Sequence, residues 1–176
     1  MMIGFKYYLL NEYGIKLILN WSKKDSFSEV FNTIQNETGS GAFGLDIISK
    51  TPEREQLVGF SSPYFPDIQV LVSDLSFPTI TDVPQFIEMF DNAVAISVPG
   101  TTNDIELGQL KVQHKMSFTT TYVQTSNDIV SGIANTKGRF GYLDLPNYLL
   151  ALNDEKGIKR QHTLPVQGVG YAIIFP

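Results

Sequence analysis

Polar side chains that can bind a small anion are concentrated at two points of the sequence, each between a predicted strand and a predicted helix. The first is the segment S-K-T-P-E-R at residues 49–54, which follows an apolar run. The second is the segment G-T-T at residues 100–102, which follows another apolar run. The N-terminus of a helix presents unpaired N–H groups and the positive end of its dipole, so both points favour a negatively charged ligand.

Arg54 has the most distinctive chemistry of the first segment. Its guanidinium is a planar fork that fits a carboxylate through two parallel hydrogen bonds, and the hydroxyl groups of Ser49 and Thr51 are further donors nearby in the sequence. A cation about three residues into a helix also opposes the helix dipole, and a broken local rule points to function. A surface arginine paired with Glu53 or Glu55 would give the same sequence, so both interpretations stay open.

Thr101, Thr102 and Asp144 each have a structural and a functional interpretation. Glycine followed by threonine is common where a turn leads into a helix, and the same hydroxyl and N–H groups can contact an anionic ligand. Asp144 follows a predicted strand and precedes Pro146. It can therefore cap the next helix or accept hydrogen bonds from a ligand ammonium, and the sequence does not separate these roles.

The elements that must position these residues alternate between strand and helix, which predicts an α/β fold with a mostly parallel sheet. Apolar residues at i, i+3 and i+4 predict the helices, and apolar or β-branched runs between turn residues predict the strands. The predicted helices lie at residues 4–13, 27–34, 83–90 and 104–111, and begin at Pro52, Ser126 (as the cap) and Pro146. The predicted strands lie at residues 16–21, 43–48, 68–72, 93–98, 117–123, 140–144 and 169–175.

The composition is that of a globular chain and excludes several classes of protein. The 176 residues include 13 lysines and arginines against 18 aspartates and glutamates, and this net charge of −5 argues against a nucleic-acid-binding protein. The chain has no cysteine and only two histidines, so we predict no disulfide, no thiolate chemistry and no metal site. No apolar run reaches the length of a membrane span, and no signal peptide is recognisable.

Three segments in order, S-K-T-P-E-R at 49–54, F-S-S-P-Y-F at 60–65 and Q-V-L-V at 69–72, resemble a motif block of the family-3 periplasmic solute-binding proteins of ABC transporters. The ligand-binding domains of ionotropic glutamate receptors share that fold. The segment G-T-T at 100–102 stands where the family has a second-lobe motif, and G-Y-A-I-I at 170–174 is similar to its returning hinge strand.

The resemblance implies a type II periplasmic-binding-protein fold of two α/β lobes, each with a mainly parallel sheet flanked by helices. Two crossing strands would join the lobes at a hinge. We expect lobe 1 to comprise residues 1–71 and 169–176, and lobe 2 to comprise residues 72–168. A ligand would bind in the cleft between the lobes, and closure of the lobes would bury it.

The resemblance also implies a set of ligand-binding residues, namely Phe27, Ser49, Thr51, Arg54, Thr101, Thr102 and Asp144. In amino-acid-binding members, the arginine that matches Arg54 binds the α-carboxylate of the ligand, and the acidic residue near Asp144 holds the α-ammonium. The threonine pair contacts the ligand from the second lobe. An aromatic side chain often stacks on the ligand, and Phe27 is the nearest match, although it can equally be a core residue; Trp21 is the alternative.

The chain departs from the family pattern at its beginning, because the family's first strand, which is central to the lobe 1 sheet, has no counterpart before residue 4. A sheet without its middle strand leaves backbone groups unpaired. We therefore expect either that this chain is a segment of a longer protein or that a partner chain supplies the strand, as in a homodimer.

The predicted function is extracytoplasmic capture of an amino acid or related carboxylate for an ABC importer, with the transporter permease as partner and no cofactor. Such a protein works in the periplasm or outside the cell, and its signal peptide is not in this chain. The alternatives are a ligand-sensing domain of a signalling receptor and a degenerate relative that binds nothing. We predict no enzyme, because the sequence has no Ser–His–Asp order and no pair of acids that demands catalysis.

Overall fold

The computed structural model describes residues 2–39, 41–154 and 157–176, and these residues form seven helices and eight strands. The helices are α1 (Met2–Tyr13), α2 (Phe27–Gln35), α3 (Pro52–Glu55), α4 (Val83–Phe90), α5 (Thr102–Gln113), α6 (Ser126–Ala134) and α7 (Leu145–Asn153). The strands are β1 (Gly59–Phe60), β2 (Ile68–Asp74), β3 (Val94–Ser97), β4 (Thr119–Tyr122), β5 (Arg139–Asp144), β6 (Ile158–Arg160), β7 (Val166–Gln167) and β8 (Ile174–Phe175). Among the described helices, none has the length and apolar character needed to cross a bilayer.

Most of the strands belong to one six-stranded sheet with the order β4-β3-β5-β2-β6, in which β7 also pairs with β2. Strand β3 is parallel to β4 and to β5, because helices α5 and α6 provide the long crossovers that parallel neighbours need. Strand β2 is antiparallel to β5, β6 and β7. The parallel arrangement expected from the sequence therefore applies to β3, β4 and β5, and the rest of the sheet is antiparallel.

Both faces of this sheet are covered at its central strands β2, β3 and β5, which explains why these strands are mostly buried and largely apolar. Successive residues of a strand point to opposite faces. In β2, Leu71 packs into a cluster with Phe86 and Phe90 of helix α4. Its neighbours Val70 and Val72 pack on the opposite face, in a cluster that includes side chains of helices α6 and α7.

Four phenylalanines form the centre of the first of these clusters, and all four are at most 1% exposed. The ring of Phe140 on β5 lies 4.6 Å from that of Phe90, 5.2 Å from that of Phe118 and 6.0 Å from that of Phe86, measured between centroids. Such edge-to-face and tilted contacts add to the stabilisation from apolar burial.

A smaller region forms around α2 and α3, and its strand pairing is antiparallel and interrupted. Strand β1 pairs with β8, and single bridges join Gly44 to Ile174 and Tyr171 to Ser49 and Phe65. The predicted strand at 43–48 is therefore wrong as a continuous strand, and the predicted strand at 169–175 is reduced to β8 and a bridge. A bend at residues 46–47 separates the bridges at Gly44 and Ser49.

Residues 16–21 were predicted as a strand, and this prediction is wrong. They form no regular element, and Ile18 and Trp21 are 75% and 67% exposed. A β-branched, apolar run becomes a strand only when a neighbouring strand pairs with it. No described residue pairs with this segment, and helix α1 before it also exposes large apolar side chains such as Tyr7 and Tyr13.

The start of helix α6 differs by one residue from the prediction. Thr125, and not Ser126, is the N-cap, because its hydroxyl oxygen accepts a hydrogen bond from the Asp128 amide at 3.2 Å. The Asp128 carboxylate in turn accepts one from the Thr125 amide at 3.0 Å. This reciprocal capping box satisfies two N–H groups that the helix itself cannot pair.

Candidate functional site

A cavity of about 640 Å³ lies between the smaller region and the large sheet. Residues 17–27 and 41–47 line one side of it, and the ends of β3 and β5 with the start of α5 line the other. Six of the seven predicted ligand-binding residues line this cavity, namely Phe27, Ser49, Arg54, Thr101, Thr102 and Asp144. The fold thus brings together residues that are up to 117 positions apart in the sequence, counting from 27 to 144.

Arg54 lies at the boundary between the two regions and contacts both. Its guanidinium donates one hydrogen bond to the carbonyl oxygen of Ser49, at 3.0 Å, and another to that of Gly100, at 3.2 Å. Burial lowers the pKa of the guanidinium from its ordinary value, and the carboxylates of Asp67 and Asp144 oppose this effect. Arginine has so high a pKa that this group stays charged.

The alternative of a surface arginine is wrong, because Arg54 forms no ion pair with a glutamate among the described residues. Glu55 instead pairs with Lys50, with 2.9 Å between the ammonium and the carboxylate oxygen. The Arg54 guanidinium carbon lies 4.8 Å from the centroid of the Phe27 ring and 5.9 Å from that of Phe31. These aromatic faces stabilise the cation and hold it in the cavity wall.

The position of Phe27 is compatible with both roles that the sequence left open, and its contact with a ligand stays a prediction. It packs against the core cluster of the smaller region, with its ring 5.9 Å from that of Phe31, and it also lines the cavity. Trp21, the alternative aromatic residue, lines the same cavity but is largely exposed.

Thr51 is the one predicted residue that does not line the cavity. It is the N-cap of α3, and its hydroxyl oxygen accepts a hydrogen bond from the Arg54 amide at 3.3 Å. Helix α3 has only four residues, so its dipole is small, and the 12-residue helix α5 offers the stronger N-terminus. The ligand contact of Thr51 stays a prediction, and its visible effect is to orient the backbone at Arg54.

Ser49 and Thr102 join the two sides of the cavity directly, with 3.1 Å between their hydroxyl oxygens. Thr102 Oγ1 also accepts a hydrogen bond from Gln69 Nε2 at 3.0 Å. Gln69 is buried and lies opposite Asp144 in the β2–β5 ladder. Sequence reasoning missed Gln69, although a glutamine at the start of an apolar strand is a visible signal.

Asp144 is the buried acid of the cavity, with only 8% of its surface exposed. Its Oδ1 accepts a hydrogen bond from the Tyr171 hydroxyl at 2.9 Å, and its Oδ2 accepts one from Asn103 Nδ2 at 3.4 Å. It occupies the N-cap position of α7 but makes no side-chain capping hydrogen bond, so the capping interpretation is wrong. Sequence reasoning also missed Tyr171 and Asn103.

The pKa of Asp144 is raised from 3.8 to about 6, chiefly by burial and also by the nearby Asp67, while the hydrogen bonds from Tyr171 and Asn103 oppose the change. The folded state therefore binds this proton more tightly than the unfolded chain does. Between these two pKa values the folded state holds more protons, so the free energy of unfolding falls as the pH rises through this window.

Asp144→Asn is expected to stabilise the protein at pH 7 by on the order of 1–3 kcal/mol, because it removes the cost of burying an ionised carboxylate. Asparagine keeps an acceptor for the Tyr171 hydroxyl. The gain over the wild type should disappear below about pH 4, because there the wild-type Asp144 carboxyl is protonated in the folded state and in the unfolded chain. Urea unfolding of both proteins at pH 4, 5, 6 and 7 measures it, and a difference independent of pH would contradict the assignment.

No protein-family model and no curated protein matches this chain. Solved structures resemble it at low sequence identity. An ancestral arginine-binding protein bound to arginine is 16% identical, with a TM-score of 0.73 over 98% of this chain and 72% of that one. An amino acid ABC transporter substrate-binding protein from Streptococcus pneumoniae bound to L-arginine is 21% identical, with a TM-score of 0.68 over 98% and 68%.

A protein from Wolinella succinogenes, described as an ABC transporter binding component and complexed with lysine, is 14% identical. Its TM-score is 0.74 over 98% of this chain and 70% of that one. These likenesses confirm the fold: the chain has the two-lobed α/β fold of periplasmic binding proteins.

Proposed function

We propose that this two-lobed chain binds an amino acid in its cavity, as the extracytoplasmic solute-binding component of an ABC importer. The observation that carries the proposal is that a guanidinium, Arg54, and a buried carboxylate, Asp144, line one cavity between the two regions. A zwitterion presents the opposite charges to both. We propose that the protein binds the amino acid and does not change it chemically.

Arg54 supports the carboxylate end of the proposed ligand. A guanidinium has five N–H donors, and two side-chain hydrogen bonds are formed with protein acceptors in the described residues. The remaining donors are available to a ligand carboxylate. The start of helix α5 beside Gly100 adds N–H groups and the positive end of a three-turn dipole.

Asp144 supports the ammonium end. Its carboxylate accepts one hydrogen bond on each oxygen, and an ionised carboxylate can accept about four. A ligand ammonium would supply the missing donors and offset the cost of burying the charge. Binding of the cation would lower the pKa of Asp144, so the affinity should weaken below about pH 6.

The solved structures with this fold suggest which amino acids to test first, because the similar proteins described above are bound to arginine or lysine. The carboxylates of Asp25 and Asp46 line the same cavity and are suited to a cationic side chain, although Lys23 and Lys24 line it as well. We therefore propose a small amino acid ligand, with L-arginine and L-lysine as the first candidates.

The division into lobes is part of the same proposal. Lobe 1 comprises residues 1–71 and 169–176, and lobe 2 comprises residues 72–168. The contacts from Arg54 to Gly100 and from Ser49 to Thr102 then cross the cleft, so they are contacts that opening of the lobes would break. The partner would be a transporter permease that receives the closed, ligand-bound form.

Native mass spectrometry followed by thermal unfolding with single amino acids tests the proposal. We expect either a bound mass of amino acid size or a stabilisation that grows with ligand concentration, about 2.7 kcal/mol at 100 times Kd. Two analogues of arginine serve as controls: agmatine lacks the carboxylate and the deamino acid lacks the ammonium, and neither should match the amino acid. Absence of binding to every amino acid would overturn the proposal.

A further inference from the structure

We propose that Asn103 determines specificity at the ammonium end of the cavity, by selecting ligands whose ammonium group carries at least two N–H donors. This inference rests on the proposed function, because it deepens the description of the same site. Asn103 follows Thr102 in the first turn of helix α5 and is only 6% exposed. It lines the cavity together with Asp144.

The first step of the argument is the orientation of the Asn103 amide. Its Nδ2 donates a hydrogen bond to Asp144 Oδ2 at 3.4 Å. Rotating the amide by half a turn would place Oδ1 against the carboxylate, and two acceptors would then face each other without a proton. The ionised Asp144 therefore fixes the orientation, with Nδ2 towards the carboxylate and Oδ1 as the remaining acceptor.

The second step is that this remaining acceptor has no donor. Asn103 Oδ1 is buried and has no hydrogen-bond partner among the described residues. A buried polar atom without a partner is unfavourable, and most such atoms in folded proteins are paired by protein, water or ligand. Asn103 already contacts Asp144 through Nδ2, and a hydrogen bond from a ligand donor would satisfy its Oδ1.

The third step identifies the donor. A ligand ammonium held by Asp144 has further N–H groups that the carboxylate does not use, and Asn103 is the neighbour that has an acceptor without a donor. Gln69 also has an unpaired buried oxygen, but it does not line the cavity. A primary ammonium can donate to Asp144 and Asn103 together, whereas an Nα,Nα-dimethylated ammonium has one N–H and can donate to only one.

The experiment compares L-arginine with Nα,Nα-dimethyl-L-arginine by calorimetry, and L-lysine with its Nα,Nα-dimethyl derivative if lysine is the amino acid that binds. The readout is the ratio of the two Kd values in the wild type, in Asn103→Leu and in Asn147→Leu. Asn147 lines the same cavity and has no side-chain hydrogen bond to Asp144 among the described residues, so it is the matched control.

We expect dimethylation to weaken binding to the wild type and to Asn147→Leu. In Asn103→Leu, the Kd of the dimethylated ligand divided by that of the unmodified ligand should be about 10-fold smaller than in the wild type, which corresponds to one charged hydrogen bond. A structural role for Asn103 would weaken both ligands equally and leave the ratio unchanged, which would overturn the inference. Asn103→Ala serves in the same way if circular dichroism shows that the leucine variant does not fold.

Failure of this inference and failure of the proposed function give different results. If neither amino acid binds the wild type, the proposed function is wrong and the inference is wrong with it. If an amino acid binds and the ratio is the same in all variants, the binding function stands and only the role of Asn103 is wrong.

Discussion

Arg54→Ala is expected to weaken amino acid binding about 30- to 150-fold, which corresponds to about 2–3 kcal/mol. The guanidinium is the cation that contacts both sides of the cavity, through Ser49 and Gly100, and its position over the Phe27 ring fixes its direction. Alanine removes the positive charge and all the N–H donors of the guanidinium. Calorimetry with the best-binding amino acid measures the effect.

Two further variants separate the contribution of Arg54 from a general loss of charge. Lys50→Ala removes a neighbouring cation that pairs with Glu55, and we expect its Kd to stay within about twofold of the wild type, because surface ion pairs contribute little. Arg54→Lys keeps the charge and loses the planar fork, so its affinity should fall between those of the wild type and the alanine variant. Unchanged binding in Arg54→Ala would remove the carboxylate assignment.

Phe140→Ala is expected to lower the free energy of unfolding by about 3–5 kcal/mol, because it leaves a cavity in a closely packed aromatic cluster. The Phe140 side chain is fully buried, and its ring contacts those of Phe86, Phe90 and Phe118. A typical domain has a total stability of about 5–15 kcal/mol, so this loss is a large fraction of it. Urea unfolding followed by circular dichroism measures the change.

The control for this variant is Leu150→Ala, which removes a similar apolar side chain that is 64% exposed. We expect a change within about 0.5 kcal/mol, because truncation of an exposed side chain leaves no cavity. Phe140 does not line the cavity that contains Arg54 and Asp144, so the folded fraction of Phe140→Ala should bind the amino acid with an unchanged Kd. A loss below about 1 kcal/mol would show that the cluster repacks around the missing ring.

The longer strands of the large sheet and its helices could be predicted from the sequence because their signals are local, whereas the short strands β6 and β7 were missed. Helix α4 lies at the predicted residues 83–90, where Asp82 caps it and Pro84 lies in its first turn. The central strands β2, β3 and β5 are covered on both faces, so the sequence displays them as largely apolar runs. The antiparallel direction of β2 has no local signal, because direction depends on which strand is the neighbour.

The smaller region was predicted less well because its strands depend on distant partners. Residues 16–21 have strand composition but no pairing partner among the described residues. Residues 43–48 pair at Gly44 with Ile174 and at Ile48 with the Ala172 amide, and the bend at residues 46–47 separates these two contacts. Strand propensity reports packing against neighbours, and a sequence read along one segment does not contain that information.

The charged residues of the candidate site, Arg54 and Asp144, were predicted from the sequence, whereas their buried polar neighbours were missed. Arg54 in the first turn of a helix and Asp144 at a strand end are visible because ionised groups there need an explanation. Asn103 resembles any polar residue in a first helical turn, and Tyr171 resembles any aromatic residue of a strand. Their importance comes from the hydrogen bonds to Asp144, which only the folded arrangement creates.

The bridges that join Gly44 and Ser49 to residues near the end of the sequence also set the order in which the molecule can fold. Gly44 pairs with Ile174 across 130 positions, and Ser49 pairs with Tyr171 across 122. The parallel unit of β3, α5, β4, α6 and β5 closes over much shorter loops, and contacts close in sequence form faster than distant ones. We therefore expect this unit to serve as the nucleus, and the bridges of Gly44 and Ser49 to form late, when the segment with Tyr171 and Ile174 has docked.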